Sequence, residues 1–217
     1  MVMQFDGSNY PFPEIDADLN HFMNIYPDLF NEDRSHYYDI DKFNSLECDP
    51  SFDLSVIHVN ARSMSANFDQ FYALFDLLRL KFDIICVSET WLDESVGHLF
   101  NFEGYNAFHS HRSTRGGGSS IYVRDIHHCN IIEPNFSVQF ANSVVLQIRS
   151  KSKSVIVSTF YRSQKADSLV FIEGFIDVMT RLNRMKSDEV IVCGDFYFDL
   201  LKLESCNVSL DFFNAVN

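Results

Sequence analysis

The stretch that decides the fold runs from residue 55 to residue 92 and reads SVIHVNARSMSANFDQFYALFDLLRLKFDIICVSETWL. It opens on Ser55–Asn60, a short, β-branched and apolar run that is typical of a strand. Asn67, with Gln70 three residues on, has the spacing of a capping box, and apolar residues at helical spacing then predict an amphipathic helix to about Leu80. Phe82–Val87 is almost continuously apolar, which is expected of a strand covered on both faces. The stretch therefore predicts a strand–helix–strand unit.

Further strand signals separated by turn residues follow this unit. The predicted strands are Gly104–Phe108, Ser119–Val123, Ser143–Ile148 and Ser154–Phe160. A second amphipathic helix is predicted over about Ser168–Asn183, because large apolar residues recur there on one side. A last buried strand covers Glu189–Cys193 and ends in Gly194-Asp-Phe196. This order of elements predicts an α/β protein in which two packed sheets are flanked by helices.

Charge is distributed unevenly along the 217 residues. The whole chain has a formal net charge of −13, which argues against a polyphosphate partner such as nucleic acid. Residues 1–54, however, hold 12 acidic and 2 basic residues, so the remaining residues 55–217 have a net charge near −3. Pro11, Pro13 and the lack of a sustained hydrophobic period predict that residues 1–54 form a partly ordered acidic segment and residues 55–217 the domain. No run approaches the roughly 18 apolar residues of a membrane helix, so no membrane partner is expected.

Polar side chains stand at the ends of three predicted buried strands. Asn60 ends the first, Glu89 follows the second, and Asp195 follows the last. In α/β proteins, ligands bind at the carboxyl ends of strands, and carboxylate and amide oxygens suit Mg²⁺. Turn formation is the simpler explanation for any one of these residues alone. Three of them at strand ends favour a metal site.

Several other groups suit phosphate. Tyr161 and Arg162 end one predicted strand, and a phenol beside a guanidinium matches phosphate oxygens well. Arg112 and Arg115 precede Gly116–Gly118 in a basic loop that either holds phosphate or simply enters a hairpin. The paired histidines lack a third ligand at the spacing of a zinc site. The strand-end residues therefore remain the main indication of chemistry.

Taken in order, these residues resemble the endonuclease/exonuclease/phosphatase superfamily, and more narrowly the endonuclease domain of non-LTR retrotransposons of the CR1/jockey kind. The resemblance spans about residues 37–203 and implies a four-layer α/β sandwich. The motifs that carry it are Asn60-Ala-Arg-Ser63, Ser88-Glu-Thr-Trp-Leu92, Gly104-Tyr105, Arg112…Gly116-Gly-Gly118…Ile121-Tyr-Val123, Tyr161-Arg162 and Gly194-Asp-Phe196.

The resemblance also implies an activity, which is phosphodiester cleavage in DNA with Mg²⁺ or Mn²⁺. Glu89 would hold the metal, which acts as a Lewis acid, and Asn60 would support the metal and the phosphate. Tyr161 would hydrogen-bond the phosphate, and Asp195 would orient and deprotonate the attacking water.

The implied partners follow from the same resemblance. The DNA backbone would meet Arg162, Arg112 and Arg115, and the parent element would also contain a reverse-transcriptase domain. The expected location is intracellular, and nuclear if the protein derives from a retroelement.

Two departures from the family pattern limit these expectations. The family has Gly-Asp-Phe-Asn where this chain has Tyr197 in the Asn position, and losing one positioned donor typically costs about 10²- to 10³-fold in rate. The family continues with a Ser-Asp pair and a His, and this sequence reaches Asn217 before either. We therefore expect a domain that lacks its last strands.

Three functions stay open. The first is a DNA-nicking endonuclease of impaired activity. The second is a catalytically inactive retroelement remnant or binding module. The third, which the motifs favour least, is a phosphoinositide or sphingolipid phosphoesterase.

Overall fold

Two mixed β-sheets, packed face to face and flanked by helices, position the site. The computed structural model describes residues 4–5, 38–47, 54–111, 116–132, 141–150, 153–199 and 206–216. Its elements are β1 (Gln4–Phe5), α1 (Ile40–Asn44), β2 (Val56–Asn60), α2 (Met64–Leu77), β3 (Ile84–Ser88), a 3₁₀ turn (Gly97–Leu99), β4 (Tyr105–Ser110), β5 (Ser119–Arg124), β6 (His128–Ile131), β7 (Ala141–Arg149), β8 (Ser154–Arg162), α3 (Ser168–Asn183), β9 (Glu189–Asp195) and α4 (Asn207–Val216).

The sheet topology brings the ends of several strands to one edge of the molecule. The first sheet has the order β1-β2-β3-β5-β4, and the second has the order β6-β7-β8-β9. Strands β2 and β3 are parallel with Asn60 opposite Ser88, and β8 and β9 are parallel with Tyr161 opposite Asp195. Strand β9 also packs against β2 and β3 of the other sheet. The carboxyl ends of β2, β3 and β9 therefore lie close together.

Three apolar layers hold the four-layer arrangement together. Helix α2 packs its buried Met64 and Phe71 on the outer face of the first sheet. Apolar residues of β3, β5, β7 and β8 fill the space between the sheets. Helices α3 and α4 cover the second sheet with Phe171, Phe175 and Phe212. Each such buried aromatic contributes about 1.5–3 kcal/mol relative to an exposed one, so the predicted α/β sandwich is the arrangement that buries the apolar faces. None of the described helices is both long and apolar enough to cross a membrane.

The predicted start of the helix α2 is wrong by about a turn. The helix begins at Met64, where the Ser63 hydroxyl accepts a hydrogen bond from the Ala66 N–H at 3.4 Å. Asn67, the predicted cap, lies inside the helix and donates its side-chain amide to the Ala61 carbonyl at 2.8 Å. The helix also ends at Leu77, before the expected Leu80.

Two described parts of the acidic segment pack with the domain. Strand β1 adds to the first sheet by parallel pairing with β2. Phe43 of α1 is buried, and its ring stacks on that of Phe82 with centroids 6.0 Å apart. Segment 1–54 therefore pairs with the first sheet through the backbone of β1 and shares the core of the domain at Phe43, while Pro11 and Pro13 lie outside the described residues.

Candidate active site

The structure brings the three predicted strand-end side chains together. The Nδ2 of Asn60 donates a hydrogen bond to Oδ2 of Asp195 at 2.7 Å, although the two residues are 135 positions apart. The same nitrogen lies 3.5 Å from Oε1 of Glu89. One amide thus bridges two carboxylates that come from different sheets.

The side-chain amide of Asn60 has a defined orientation in the structure. Its Nδ2 faces the carboxylates, while its Oδ1 accepts a hydrogen bond from the backbone N–H of Arg62 at 3.1 Å. Asn60 therefore serves as a donor that fixes the carboxylates, and its oxygen is not directed at the space between them as a metal ligand would be.

Backbone strain is concentrated in the three loops that carry the site. Among the described residues, the non-glycine residues with positive φ are Arg62, Ser63, Glu89, Trp91 and Tyr197. All five follow β2, β3 or β9 at their carboxyl ends. Left-handed conformations of non-glycine residues are costly and persist where the surroundings hold them, which is common at functional sites.

Backbone hydrogen bonds hold the Glu89 loop from both sides. The N–H of Ser63 donates to the Glu89 carbonyl at 2.9 Å, and the Trp91 N–H donates to the Gly117 carbonyl at 2.8 Å. Gly118 in turn donates its N–H to the side-chain oxygen of Asn142 at 3.1 Å. The position of the Glu89 carboxylate is therefore fixed by loops from β2, β5 and β7.

Gly194 allows β9 to approach β8 closely beside Asp195. A Cβ atom at this position would lie 2.3 Å from the Phe160 carbonyl oxygen and 3.0 Å from its nitrogen. Only glycine fits this approach, because both of the crowded atoms are backbone atoms. The Gly-Asp pair in the sequence thus has a steric reason as well as a chemical one.

The Asp195 carboxyl has a perturbed proton affinity. Burial, followed by the nearby Glu89 carboxylate, raises its pKa to about 6, although hydrogen bonds from Tyr197 and Asn60 act in the opposite direction. A buried pair of carboxylates repels itself unless a proton or a cation lies nearby. Asp195 is therefore suited either to accept a proton near neutral pH or to share a cation with Glu89.

Tyr197 occupies one side of this cluster. Its hydroxyl donates a hydrogen bond to Oε1 of Glu89. Its ring lies edge-on to that of Tyr161 with centroids 6.1 Å apart. Burial, followed by the hydrogen bond to Glu89, raises the pKa of the Tyr197 phenol. The phenol therefore stays protonated and acts as a donor to the carboxylate predicted to hold the metal.

Arg162 is not brought to the cluster. It is only 4 % exposed, and its guanidinium donates to the carbonyls of Phe196 at 3.1 Å, Tyr197 at 3.2 Å and Ala166 at 3.0 Å, and to the Ser168 hydroxyl at 2.5 Å. The same group lies 4.4 Å from the centre of the Phe198 ring. The guanidinium is therefore committed to the loop after β9 and is not placed for the predicted contact with phosphate. Arg112 and Arg115 lie outside the described residues.

The donor set suits one hard divalent cation. Mg²⁺ is commonly held by one or two carboxylates, with water completing its shell. Glu89 and Asp195 supply two carboxylates, and the Glu89 charge is, after burial, the second cause that raises the pKa of Asp195. Within the described ranges, no cluster of three or more His, Cys, Asp or Glu side chains could hold a metal. The residues therefore fit a water-rich Mg²⁺ or Mn²⁺ site and not a zinc site.

Sequence reasoning missed Asn142. This buried residue of β7 accepts from Gly118 and donates its side-chain amide to the His111 carbonyl at 3.1 Å. It joins the glycine loop to the second sheet beside Tyr161, its neighbour on β8. An amide at the entrance of an apolar strand was the one signal that could have indicated it.

The two mixed sheets and their flanking helices are consistent with the endonuclease/exonuclease/phosphatase fold. The solved structures most like this chain include the endonuclease domain of TRAS1, a telomere-specific non-LTR retrotransposon, with 15 % identity, a TM-score of 0.54, and coverage of 75 % of this chain and 69 % of that one. An endonuclease/exonuclease/phosphatase family protein from Bacteroides thetaiotaomicron matches with 17 % identity, a TM-score of 0.53, and coverage of 74 % and 66 %.

D. rerio TDP2 in complex with a single-strand DNA product also matches, with 19 % identity, a TM-score of 0.50, and coverage of 71 % of this chain and 64 % of that one. This chain thus spans slightly under two thirds of the D. rerio TDP2 structure. Neither a family model nor a curated protein matches the sequence. The likeness at these identities establishes the fold.

Proposed function

We propose that the cluster of Asn60, Glu89 and Asp195 hydrolyses phosphodiester bonds in DNA, and that Tyr197 lowers its activity. The observation that carries this proposal is the pair of carboxylates bridged by the Asn60 amide at the carboxyl ends of β2, β3 and β9. The fold supports it, because solved structures with this fold include nucleases.

Asp195 is the general base in this proposal. With a pKa raised to about 6, its carboxylate is ionised at neutral pH and still basic enough to take a proton from water. The 2.7 Å hydrogen bond from Asn60 orients it. The close approach of β9 to β8 at Gly194 fixes the strand that carries Asp195.

Glu89 would hold Mg²⁺ or Mn²⁺, which supplies Lewis-acid polarisation of the phosphate when bound. Glu89 is buried, and its loop is held by backbone hydrogen bonds, so its carboxylate is positioned in advance. Tyr161 lies opposite Asp195 on the neighbouring strand, where its hydroxyl could donate to a phosphate oxygen. The hydroxyl of Tyr197 competes for Oε1 of Glu89.

The wider context of the protein is proposed on the same basis. The likeness to the TRAS1 endonuclease domain supports derivation from a non-LTR retrotransposon. A parent protein of that kind would also contain a reverse transcriptase and would act on DNA in the nucleus.

One observation favours a second function, which is binding of DNA without hydrolysis. Tyr197 stands where the resemblance predicts an Asn that donates to the phosphate, and its hydroxyl donates a hydrogen bond to Glu89 instead. If the phenol keeps the cation away from Glu89, the domain would be an inactive remnant that retains a binding surface.

Nicking of supercoiled plasmid tests the proposal. We expect slow nicking by the wild type with Mg²⁺, none with EDTA, and a loss of at least about 10²-fold in Asp195→Asn, the size of a general-base contribution. Asp125→Asn is the matched control, because Asp125 is exposed in the turn after β5. Release of phosphate from a phosphoinositide, without nicking, would indicate the lipid phosphoesterase instead.

A further inference from the structure

Trp91 is presented to solvent beside the proposed site. It is the single tryptophan of the chain and one of the large apolar side chains that the structure leaves exposed, at 40 %. It lies two residues after Glu89 in the same loop, and its φ of 55° is one of the five left-handed conformations around the site. The next residue, Leu92, is buried and supplies the apolar anchor of the loop.

The glycine loop holds the backbone of Trp91 and passes beside its indole. The Trp91 N–H donates to the Gly117 carbonyl at 2.8 Å, and a Cβ atom at Gly116 would lie 3.8 Å from Nε1 of the indole. The loop is attached in turn to Asn142 of β7. Among the residues that the structure describes, no other ring and no cation stacks on the indole, and its N–H has no acceptor. The backbone of Trp91 is therefore held in place, while 40 % of the residue stays exposed.

We propose that the exposed face of Trp91 is a stacking platform for an unpaired nucleobase adjacent to the phosphodiester at the Glu89–Asp195 cluster. The inference rests on the proposed function and specifies its substrate. Every base has a π-face, so an aromatic side chain binds single-stranded DNA by stacking with little sequence preference. Bases within a duplex already stack on each other, so the substrate has an unpaired base at this position.

A purely structural role for Trp91 fits the geometry less well. A side chain kept for packing would gain most by full burial, as Leu92 does. A strained backbone that holds an aromatic ring at the surface beside two carboxylates is instead expected of a binding site.

Fluorescence of Trp91 tests the proposal directly, because no other tryptophan contributes. The probe is a short oligothymidylate in EDTA, which prevents turnover, and its binding is followed independently by the anisotropy of a dye at its end. We expect saturable quenching of the tryptophan that parallels the anisotropy change. A series of oligonucleotides of the same length, each with a single abasic position, should also be compared. The one that lacks the stacking base should bind more weakly than the others.

Variants separate stacking from charge and from folding. Trp91→Ala should weaken binding of the oligothymidylate by about 5- to 150-fold, the loss expected for one stacked base. It should leave binding of a fully abasic oligonucleotide unchanged, and Trp91→Phe should restore part of the affinity. The control is Ile126→Ala, which removes a more exposed apolar side chain, 63 % exposed, in the turn between β5 and β6. It should have no effect.

Two results would overturn the inference. One is an anisotropy change without quenching, and the other is an equal loss of affinity for normal and abasic oligonucleotides in Trp91→Ala. Either result leaves the proposed nuclease standing if plasmid nicking persists. Failure of the wild type both to bind the oligonucleotide and to nick plasmid would contradict the proposed function itself.

Discussion

The hydroxyl of Tyr197 donates a hydrogen bond to Oε1 of Glu89, 108 residues away. The acceptor oxygen belongs to the carboxylate that we propose to hold the metal. A donor on that oxygen lowers the negative charge available to a cation and occupies one direction of approach. If Glu89 holds a metal as we propose, the Tyr197–Glu89 contact would lower the metal affinity of the site, independently of the space taken by the phenol ring.

Removing only the hydroxyl should strengthen cation binding. Tyr197→Phe keeps the ring and loses the donor, and we expect Mn²⁺ to bind about 10-fold more tightly by calorimetry, since a hydrogen bond to a charged group contributes about 1.5–3 kcal/mol. Glu89→Gln is the negative control and should abolish the heat of binding. An unchanged affinity in Tyr197→Phe would show that the hydroxyl does not compete with the metal.

Arg162 should prove to be a stabilising residue. Arg162→Ala removes four donated hydrogen bonds and the contact with the Phe198 ring, so we expect the free energy of unfolding in urea to fall by about 2–4 kcal/mol. Arg181→Ala is the matched control, because its ion pair with Asp177 is half-exposed and contributes at most about 0.5 kcal/mol. Equal stability of the two variants, together with weakened DNA binding in Arg162→Ala, would instead support the phosphate contact predicted from sequence.

Stability should fall with rising pH because of Asp195. Its folded-state pKa is raised to about 6 from 3.8, so the native state holds a proton that the unfolded chain releases. Its contribution is therefore present below about pH 4 and is lost as the pH rises through 6, by about 1–2 kcal/mol after allowance for solvent screening. In EDTA, the difference in unfolding free energy between wild type and Asp195→Asn should shift by this amount between pH 4 and 7. A flat difference would mean that the carboxyl titrates normally.

His58 should make the folded protein less stable as the pH falls, in almost the same range of pH. Burial in β2 lowers its pKa to about 4, and its Nε2 has no hydrogen-bond partner among the described residues. Below pH 6.5 the imidazole of His58 binds a proton in the unfolded chain but stays neutral in the folded chain. The free energy of unfolding therefore falls as the pH drops towards 4, by at most about 3 kcal/mol. Urea unfolding of His58→Leu should show this loss removed, whereas the exposed control His128→Gln should retain it. Identical pH profiles for wild type and His58→Leu would contradict the burial effect.

The parts of the fold that sequence predicts are those with a strong period. Buried strands such as Ile84–Ser88 and the helix Ser168–Asn183 have patterns that local physics determines. Strand His128–Ile131 was missed because it is a largely exposed edge strand that pairs only with β7 within the described residues, so it has no apolar alternation. Helix Asn207–Val216 was missed because its main contact, Phe212 stacked on Phe198 with centroids 4.3 Å apart, is tertiary.

For the site, the sequence could predict which residues meet but not how their side chains are oriented. Asn60, Glu89 and Asp195 could be grouped because the carboxyl ends of packed parallel strands share an edge. The direction of a side chain at a strand end is decided by neighbours far away in sequence. Arg162 turns towards the carbonyls of the loop after β9, and Asn60 turns its nitrogen to carboxylates 29 and 135 positions away, so local contacts alone do not decide either orientation.

Nicking of supercoiled plasmid by Tyr197→Asn with Mg²⁺ tests the central claim most directly. This change restores the family's amide and frees Oε1 of Glu89. We predict that Tyr197→Asn nicks at least about 10-fold faster than the wild type and that adding Glu89→Gln abolishes the gain, since one positioned donor contributes about 10²- to 10³-fold. If neither the wild type nor Tyr197→Asn nicks faster than the Tyr197→Asn/Glu89→Gln double variant, the Asn60–Glu89–Asp195 cluster is not a nuclease site.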